Sequence, residues 1–280
     1  MGPLGFEPRT SGDVSRIFLF FGQENSIEIH KRIISSSEND ALMKVSQKKN
    51  RRVVVARNGP YLVSGNLPLA KEIITVGKEG EPETWTKGQE YPNQDNYVLC
   101  RCGNSKNKPY CDGTHARTGF DGEETASRKE YIKQADKISG PEIDLTDAEQ
   151  LCAAARFCHR GAEGGTWDLV EQSDNPRAKQ IAIESACNCP SGRLVVWNKK
   201  PGLPIEPPLE PSIGLVEDPQ AKASGPIRLK GNVELESAEG KKYETRNRMT
   251  LCRCGKSNNK PFCNGQHIKT KFNDGDVSIK

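Results

Sequence analysis

Short runs of apolar and β-branched residues, separated by turn-forming residues, recur along most of the chain. The runs at 53–55 (VVV), 61–63 (YLV) and 73–76 (IITV) are three examples, and Gly, Pro and Asn residues lie between them. β-branched and aromatic residues bounded by turn formers are typical of short strands. The pattern therefore predicts small β-rich units in this part of the chain.

One of these strand patterns occurs twice. The segment "GPYLVSGNLPL" at 59–69 aligns with "GPIRLKGNVEL" at 225–235, and both read Gly-Pro-x4-Gly-Asn-x2-Leu. Self-similarity of this kind indicates two copies of one structural unit. The first copy is longer because of a turn-rich insertion, "EGEPETWTKGQEYPNQ". We therefore expect two β-rich repeats, at about 51–135 and 220–280.

The sequence between the repeats has a helical pattern. The Ala-rich stretch "DLTDAEQLCAAARFCHRG" opens with Thr146 and Glu149 at capping-box spacing, which predicts a helix that ends near Gly161. A second helix is expected at "NPRAKQIAIESA". We predict a small helical domain at 141–200, then a Pro-rich linker at 201–219. The predicted fold class is α+β, with two small β-rich units that carry metal loops and a helical domain between them.

The N-terminal stretch is excluded from this fold prediction. The octapeptide "GFEPRTSG" resembles the conceptual translation of the T-arm of a tRNA gene, which would place the true translation start further downstream. The alternative is an ordinary disordered tail. Residues 1–50 are therefore interpreted as a disordered or mis-annotated N-terminal extension.

Composition and charge narrow the class of protein. Of 280 residues, 34% are hydrophobic and 6% aromatic, which is little apolar side chain for one large core and favours several small domains. The 41 basic and 37 acidic residues nearly balance, so nucleic-acid binding is not expected. No stretch approaches the roughly 18 apolar residues of a membrane span. We expect a cytoplasmic protein, in which clustered Cys and His bind metal more often than they form disulfides.

Two sixteen-residue segments combine three cysteines and one histidine at the same spacing. They are "CRCGNSKNKPYCDGTH" at 100–115 and "CRCGKSNNKPFCNGQH" at 252–267. In the first, Cys100 and Cys102 can grip one metal, while Cys111 and His115 are one helical turn apart and share a face. The candidate ligands are therefore Cys100, Cys102, Cys111 and His115 in the first loop, and Cys252, Cys254, Cys263 and His267 in the second.

Neighbouring residues in the first loop suit such a site. Asp112 and Thr114 are of the types that open a helical turn and satisfy its free amides, and Pro109 fixes the chain just before it. Three basic side chains would offset the negative charge of the thiolates: Arg101, Lys106 and Lys108. A Cys3His set admits a single tetrahedral Zn²⁺ or a [2Fe–2S] cluster with two ligands per iron. Spacing alone favours zinc, because zinc sites are so common.

The first loop resembles the CDGSH iron–sulfur (mitoNEET-like) family. The family pattern C-x-C-x2-S-x3-P-x-C-D-G-T-H is met from Cys100 to His115, with Thr114 where the family name has Ser. The second loop keeps every ligand position but has Asn264 and Gln266 where the family has Asp and Ser or Thr. The resemblance implies a [2Fe–2S] cluster in each loop, with the Cys–His pair on the outer, exposed iron. It also implies small β units paired about a two-fold axis, here as an intramolecular pseudo-dimer of the two repeats.

The central domain holds the other four cysteines. Cys152 and Cys158 form one pair and Cys187 and Cys189 another, which suits a four-thiolate site; a Zn(Cys)4 site or cysteines that only pack remain alternatives. The pattern C-x5-C … W-D-L … C-P-S-G-R-L resembles the divergent single-cluster ferredoxin-like domain. That resemblance implies a [4Fe–4S] or [3Fe–4S] cluster, with Cys152, Cys158 and Cys189 as the best-matching ligands and Cys187 as a candidate fourth.

These motifs lead to a functional hypothesis without an enzymatic activity. No Gly-rich nucleotide fingerprint, paired catalytic carboxylates or nucleophile–base arrangement stands out, so the protein is not expected to be an enzyme. We expect an iron–sulfur protein that acts in electron transfer, redox sensing or cluster storage and transfer, with a redox partner or an apo-protein cluster acceptor. The alternative is a zinc-stabilised binding module with no redox role. His30 and His159 are interpreted as plain surface residues.

Overall fold

The computed structural model describes residues 51–160 and 164–279, and all statements on structure concern this part of the chain. The extension interpreted at 1–50, including His30, lies outside the described residues, as does Gly161. The strands and helices confirm the α+β class, with β-structure predominant. The longest described helix has 13 residues, and no helix in this part of the chain is long and apolar enough to cross a membrane.

The secondary structure consists of thirteen strands, four α-helices and three single 3-10 turns within the described residues. The strands are β1 Arg52–Val55, β2 Tyr61–Ser64, β3 Leu69–Val76, β4 Pro82–Glu90, β5 Asn96–Leu99, β6 Asp136–Ser139, β7 Ile143–Asp147, β8 Leu194–Asn198, β9 Pro204–Ile205, β10 Ser212–Asp218, β11 Ala223–Lys230, β12 Glu234–Glu236 and β13 Arg248–Leu251. The helices are α1 Thr114–Arg117, α2 Gly165–Glu171, α3 Pro176–Asn188 and α4 Gln266–Lys269, and the 3-10 turns are Tyr131–Lys133, Glu149–Leu151 and Phe157–His159.

The two repeats pair their strands in the same register. In the first repeat, β2 lies between β1 and β5, and Tyr61 faces Leu99 across the antiparallel ladder. In the second, β11 lies between β10 and β13, and Ile227 faces Leu251. Tyr61 and Ile227 are the equivalent positions of the aligned sequence motif. The internal repeat seen in the sequence is therefore also a structural repeat.

Each repeat adds a strand to the sheet of the other. β12 of the second repeat pairs in parallel with β1 of the first, so that Leu235 lies opposite Val53. Likewise β3 of the first repeat pairs in parallel with β10 of the second, and Leu69 lies opposite Ile213. The resulting sheets have the orders β12-β1-β2-β5 and β13-β11-β10-β3-β4. The segment that follows each Gly-Asn turn thus crosses to the partner repeat.

This exchange produces one hydrophobic core for both repeats. Val53, Val63, Ile213 and Leu229, from the two sheets, are each at most 2% exposed and belong to the same cluster. Burial of each such aliphatic side chain contributes about 1.5–3 kcal/mol. The prediction of separate small cores is therefore wrong for the repeats, because the exchanged strands place the apolar faces of both sheets against each other.

The first helix predicted between the repeats does not form. Thr146 lies in β7, paired with Val195 of β8, and only the 3-10 turns Glu149–Leu151 and Phe157–His159 follow. Ile143 and Leu145 alternate inward in β7 and are fully buried, so strand pairing outweighs the helical propensity of the sequence around them. The domain predicted as helical also contains a sheet, which β6-β7-β8-β9 form.

The second predicted helix is confirmed as α3. Asn175 caps its start, since its side-chain oxygen accepts hydrogen bonds from the amides of Arg177 (2.9 Å) and Ala178 (3.3 Å). Pro176 occupies the first helical position, where a missing N–H costs nothing. Buried alanines line the face that packs on the central sheet.

Two segments expected to be irregular are strands instead. Residues 212–218 of the predicted linker form β10, which lies at the centre of its sheet, so the second repeat begins earlier than 220. The turn-rich insertion of the first repeat contains β4, which pairs with β3 as a long hairpin. Pro and Gly residues flank both segments and suggest irregular structure. The residues between them nevertheless form strands, because they pair with strands that the local sequence does not reveal.

Candidate metal centres

The first loop holds its candidate ligands through backbone hydrogen bonds to the end of β5. The amide of Cys100 donates to the carbonyl of Pro109 (2.8 Å), and the amide of Cys111 donates to the carbonyl of Val98 (3.0 Å). The Sγ atoms of Cys100 and Cys102 are 3.8 Å apart, and Cys111 Sγ lies 3.3 Å from His115 Nδ1. The loop therefore presents two pairs of ligands.

The second loop repeats this geometry at the end of β13. Cys252 donates to the carbonyl of Pro261 (2.8 Å) and Cys263 to that of Thr250 (2.9 Å). The Sγ atoms of Cys252 and Cys254 are again 3.8 Å apart, and Cys263 Sγ lies 3.4 Å from His267 Nδ1. The changes at Asn264 and Gln266 have not altered the arrangement of the four ligand side chains.

Each pair of ligands fits one tetrahedral metal. A metal about 2.3 Å from each sulfur separates two thiolates by about 3.8 Å, and a sulfur from a ring nitrogen by about 3.6 Å. The observed distances are close to these values. In the part of the chain that the structure describes, no three Cys, His, Asp or Glu side chains surround a single ion position. The two pairs of a loop therefore do not converge on one ion.

Backbone amides and a neighbouring thiol favour thiolates in these loops. The amides of Gly113 and Gly265 donate to Cys111 Sγ and Cys263 Sγ, each at 3.4 Å. In the second loop, the hydrogen bond from Cys254 lowers the pKa of Cys252. A hydrogen bond to the charged form of a group stabilises that form. Burial acts in the opposite direction at Cys263 and raises the pKa of that thiol well above its usual range.

Asp112 and Asn264 occupy equivalent positions but make different contacts. Asp112 accepts hydrogen bonds from the amides of Lys106 (2.9 Å) and Thr114 (3.0 Å), and these bonds hold the pKa of its carboxyl well below the usual range. Asn264 Oδ1 is buried and has no hydrogen-bond partner among the described residues. The turn itself survives, since Gly113 and Gly265 have φ values of 81° and 80°. The turn of the second loop therefore forms without the two hydrogen bonds that Asp112 makes in the first.

The arginine between the paired cysteines is structural in both loops. Arg101, expected to balance the charge of the thiolates, is 1% exposed and donates to the carbonyl of Gly122 at 2.7 Å. Arg253 is also buried and donates to Glu217 (2.9 Å) and Asp274 (2.5 Å). These carboxylates were not predicted from the sequence. The only signal that could have indicated them is the shared Cys-Arg-Cys, since an Arg fixed in both copies suggests a buried partner.

The two loops touch each other directly. A Cβ atom on Gly103 would lie 2.6 Å from the carbonyl oxygen of Cys254, and one on Gly255 would lie 2.4 Å from that of Cys102. Both glycines have positive φ, a conformation that other residues rarely adopt. The Tyr61 hydroxyl of the first repeat also donates to the carbonyl of Cys252 (2.8 Å). The backbone contact is therefore reciprocal and leaves no room for a side chain.

The two loops differ in their exposure. Cys111 and His115 are partly exposed, whereas Cys263 and His267 are 2% and 3% exposed. A Cβ on Gly265 would lie 3.1 Å from the Cβ of Ala154 in the central domain, but the equivalent space next to Gly113 is empty to 4 Å. Burial, with a smaller effect of the Arg253 charge, lowers the pKa of His267 to about 4.

The structure brings three of the four central cysteines together. Burial raises the pKa of the Cys158 thiol to about 12, and the negative charges of Cys189 and Cys152 add to this effect, so the three thiols lie within range of electrostatic interaction. Cys158 and Cys189 also pack against the same core of the central domain. Cys187 lies among other groups, with its Sγ 3.7 Å from the carbonyl oxygen of Ile205 and its nearest charges on Arg248, Glu206 and Glu184. The structure therefore does not place Cys187 with the other three.

Two arginines support this central site and were missed by the sequence reasoning. Arg193 forms a bidentate pair with Asp147 (2.6 and 2.8 Å) and also interacts with Cys152. Arg248, which is fully buried, donates to the carbonyl of Cys189 (2.7 Å) and to Glu206. Arg248 belongs to β13 of the second repeat, so no local pattern connects it to the central cysteines. His159 is exposed, as expected, with its ring 6.3 Å from that of Trp167.

Three regions of the chain match models of known protein families. Residues 58–116 and 224–268 match the family model described as an iron-binding zinc finger of CDGSH type, and residues 138–199 match a divergent 4Fe-4S mono-cluster model. The chain therefore carries two CDGSH-type regions on either side of a divergent mono-cluster region, and the resemblance seen in the sequence is confirmed. These matches support an iron–sulfur-binding protein. Neither curated proteins nor solved structures gave a match to the chain.

Proposed function

We propose that the protein binds two [2Fe–2S] clusters, one in each Cys3His loop. The ligands of the first are Cys100, Cys102, Cys111 and His115, and those of the second are Cys252, Cys254, Cys263 and His267. The observation that carries this proposal is the division of each loop into two ligand pairs that do not converge on one ion. A two-metal cluster needs two ligands per metal, whereas a single Zn²⁺ needs all four around one point.

The third centre in this proposal is a [4Fe–4S] or [3Fe–4S] cluster on Cys152, Cys158 and Cys189. The proximity of these three thiols supports it, together with the match of this region to a mono-cluster model. Cys187 is left out of this ligand set, because its neighbours are a different group of residues.

The protein acts as a carrier of electrons or of clusters, and not as an enzyme, in this proposal. A bound [2Fe–2S] cluster supplies one-electron redox chemistry. Because Cys111 and His115 are partly exposed, the first loop is the site where a redox partner or an apo-protein acceptor binds. The buried second loop holds its cluster more firmly. All ten cysteines are free thiols, which supports a reducing compartment such as the cytoplasm.

The two repeats form an intramolecular pseudo-dimer in the same proposal. The equivalent strand registers, the reciprocal parallel pairing of β1 with β12 and of β10 with β3, and the reciprocal loop contact at Gly103 and Gly255 support it. Each loop is thereby braced by the other. A second chain would not be needed to complete either site.

Metal and sulfide analysis of the purified protein tests the proposal. Protein purified anaerobically from iron-replete cells should be red-brown and contain acid-labile sulfide, with about four iron atoms in the two Cys3His sites and further iron in the central one. Mössbauer and EPR spectra should then resolve two [2Fe–2S] centres and a third of another type. Colourless protein with stoichiometric zinc would overturn the proposal in favour of a zinc-stabilised binding module.

Cluster transfer distinguishes the roles of the two loops. Cys263→Ser should leave a protein that donates its first cluster to an apo-ferredoxin, and Cys111→Ser should leave one that donates poorly, because its remaining cluster is buried. Absorbance and native mass spectrometry of the acceptor measure the transfer. If neither variant donates, while both can be reduced and reoxidised by one electron at the remaining [2Fe–2S] cluster, an electron carrier is the role that remains.

A further inference from the structure

One short segment contributes to two of the three candidate sites. We call Cys152–Cys158 the cover segment. Its two ends, Cys152 and Cys158, are two of the three neighbouring thiols of the central site. Its middle lies against the second Cys3His loop, where the Cβ of Ala154 is 3.1 Å from the Cβ position of Gly265. Gln150, just before the cover segment, also contacts the second loop, because its carbonyl accepts a hydrogen bond from Asn259 Nδ2 (2.8 Å).

The cover segment accounts for the different exposure of the two loops. Gly113 of the first loop has no neighbour within 4 Å of its Cβ position, and His115 next to it is partly exposed. Gly265 has Ala154 and the carbonyl oxygen of Cys152 (3.8 Å) as neighbours. His267, two residues later, is 3% exposed. The atoms that close the space next to Gly265 therefore belong to the central domain.

The middle of the cover segment is anchored to the sheet of the repeats. Arg156 donates to both carboxylate oxygens of Asp218 (2.7 and 3.0 Å) and to Gln220 (3.0 Å). Phe157 is 1% exposed and its ring lies 4.8 Å from that of Trp85. Asp218 ends β10, and Trp85 belongs to β4. Hydrogen bonds also hold its two ends, since the amide of Cys152 donates to the carbonyl of Glu149 (2.9 Å) and the carbonyl of Cys158 accepts from the Thr166 hydroxyl (3.1 Å).

The backbone of the cover segment is in a conformation that needs fixed ends. Ala154 and Arg156 have φ values of 55° and 64°, in the left-handed region that residues other than glycine seldom adopt. Such conformations persist when the surrounding structure imposes them. Hydrogen bonding within the segment is sparse, since no helix or strand includes residues 152–156. Metal bonds at the Sγ atoms of Cys152 and Cys158 would add a side-chain constraint at each end of the segment.

We propose that a metal cluster at the central site fixes the cover segment over His267, so that loss of this cluster opens the second Cys3His site while leaving the first unchanged. This inference rests on the proposed function, because it requires metal at both sites. Its chemistry involves no new reaction. The cluster ligands Cys152 and Cys158 restrain a seven-residue segment, and that segment excludes water and solutes from the second loop.

Site-resolved alkylation in the presence of an iron chelator tests the inference. The protein as purified is treated with bathophenanthroline and iodoacetamide, and peptide mass spectrometry follows Cys263 and Cys111 separately. Cys158→Ser should remove the iron of the central site and speed the alkylation of Cys263 about tenfold or more, as expected for local opening of a protected site. Alkylation of Cys111 should not change. Cys187→Ser is the matched control and should behave as the wild type.

A second variant keeps all cysteines in place. Arg156→Leu removes the anchor to Asp218 and should also speed the alkylation of Cys263, with the central iron retained. The inference is overturned if Cys158→Ser loses central iron but leaves the protection of Cys263 intact, or if only Arg156→Leu exposes it. If wild-type Cys263 is alkylated as fast as a free thiol, the second site holds no metal, and the proposed function itself fails.

Discussion

The two Cys3His loops differ in their surroundings far more than in their internal geometry. Their paired sulfurs are separated by 3.8 Å in both loops, and their Cys–His distances are 3.3 and 3.4 Å. Nevertheless His115 is partly exposed, while His267 is buried and the nearby Gly265 lies against Ala154 of the central domain. Duplication followed by different packing has thus produced one open and one protected copy of the same site. The ligand set alone does not determine the lability of a cluster.

The polar residue after the third cysteine differs between the two loops, and the difference matches the burial of each loop. Asp112 is exposed and carries two backbone hydrogen bonds, whereas Asn264 is partly buried and its Oδ1 has no partner in the described part of the chain. A buried carboxylate without hydrogen bonds would be costly, and a neutral amide costs less. We therefore interpret Asn264 as an adaptation of the second loop to its cover.

The largest expected effect comes from the contact between the loops. Gly255→Ala places a Cβ 2.4 Å from a backbone carbonyl and imposes a strained φ, which together should cost about 3–5 kcal/mol. Gly103→Ala should cost a similar amount, since its Cβ would lie 2.6 Å from the equivalent carbonyl. Thermal unfolding followed by visible absorbance should show both clusters destabilised in either variant. Loss of only the mutated loop's cluster would show that the loops do not brace each other.

Acid should remove the two clusters in sequence. Burial lowers the pKa of His267 to about 4, so the proton that competes with metal for this ring binds only at low pH. A histidine with a lowered folded-state pKa makes its full contribution to stability above about pH 6.5, and loses it as the pH falls toward 4. The first cluster should therefore be lost at a pH about one unit or more higher than the second.

Single-site variants make this comparison measurable. Cys263→Ser leaves only the first of the two clusters and Cys111→Ser only the second, and the charge-transfer absorbance of each is followed as the pH is lowered. Cys187→Ser serves as a cysteine substitution outside the candidate ligand sets. A second cluster that is lost at the same pH as the first, or at a higher one, would mean that burial of His267 does not protect it.

Substitution of the glycine two residues before each ligand histidine tests the contact between the second loop and the cover segment. Gly113→Ala and Gly265→Ala impose nearly the same backbone strain, since φ is 81° and 80°, and each should cost about 1–2 kcal/mol on that account. Only Gly265→Ala also presses on Ala154, at 3.1 Å, and should cost about 1 kcal/mol more. Denaturant unfolding of both variants measures the difference. Equal losses of unfolding free energy in the two variants would show that the central domain relaxes at this contact without an energetic cost.

The smallest effect is expected from the charge of Asp112. Its pKa lies well below the usual range, so the carboxylate stays ionised throughout the pH range in which clusters are lost. The negative charge near the Cys–His pair stabilises positive charge there, and water and salt keep the effect small. Asp112→Asn should therefore move the loss of the first cluster to slightly lower pH. A move to higher pH would show that the two hydrogen bonds of Asp112 matter more than its charge.

The sequence predicts the local parts of this molecule well. The Cys-x-Cys and Cys-x3-His spacings, the aligned Gly-Pro and Gly-Asn turns and the capped helix at Asn175 depend on neighbouring residues, and the structure shows these turns and this helix in place. The ligand roles remain proposals. The predicted helix from Thr146 is wrong because its residues pair as a strand with β8, a contact about fifty residues away. Propensity gives way to such non-local pairing.

The non-local features could not be predicted from one sequence. The crossing of β3 and β12 between the repeats depends on which sheet edge each strand meets, and neither edge is marked in the sequence. Arg248 and Arg253 would be expected at the surface because arginine is charged, yet both are buried with carboxylate partners. Gly265, two residues before His267, lies against Ala154, more than a hundred residues earlier, and no periodicity reports such a contact.

The most direct test of the account is the rate at which a chelator removes iron from each loop. Cys263→Ser and Cys111→Ser, each expected to keep one [2Fe–2S] cluster, are mixed with excess bathophenanthroline at neutral pH in the presence of ascorbate, which reduces the released ferric iron, and the ferrous complex is followed by its absorbance. Iron should leave the first loop about tenfold or more faster than the second, because a protected site releases its metal only after local opening. Equal rates, or faster loss from the second loop, would contradict the division into an open and a protected site.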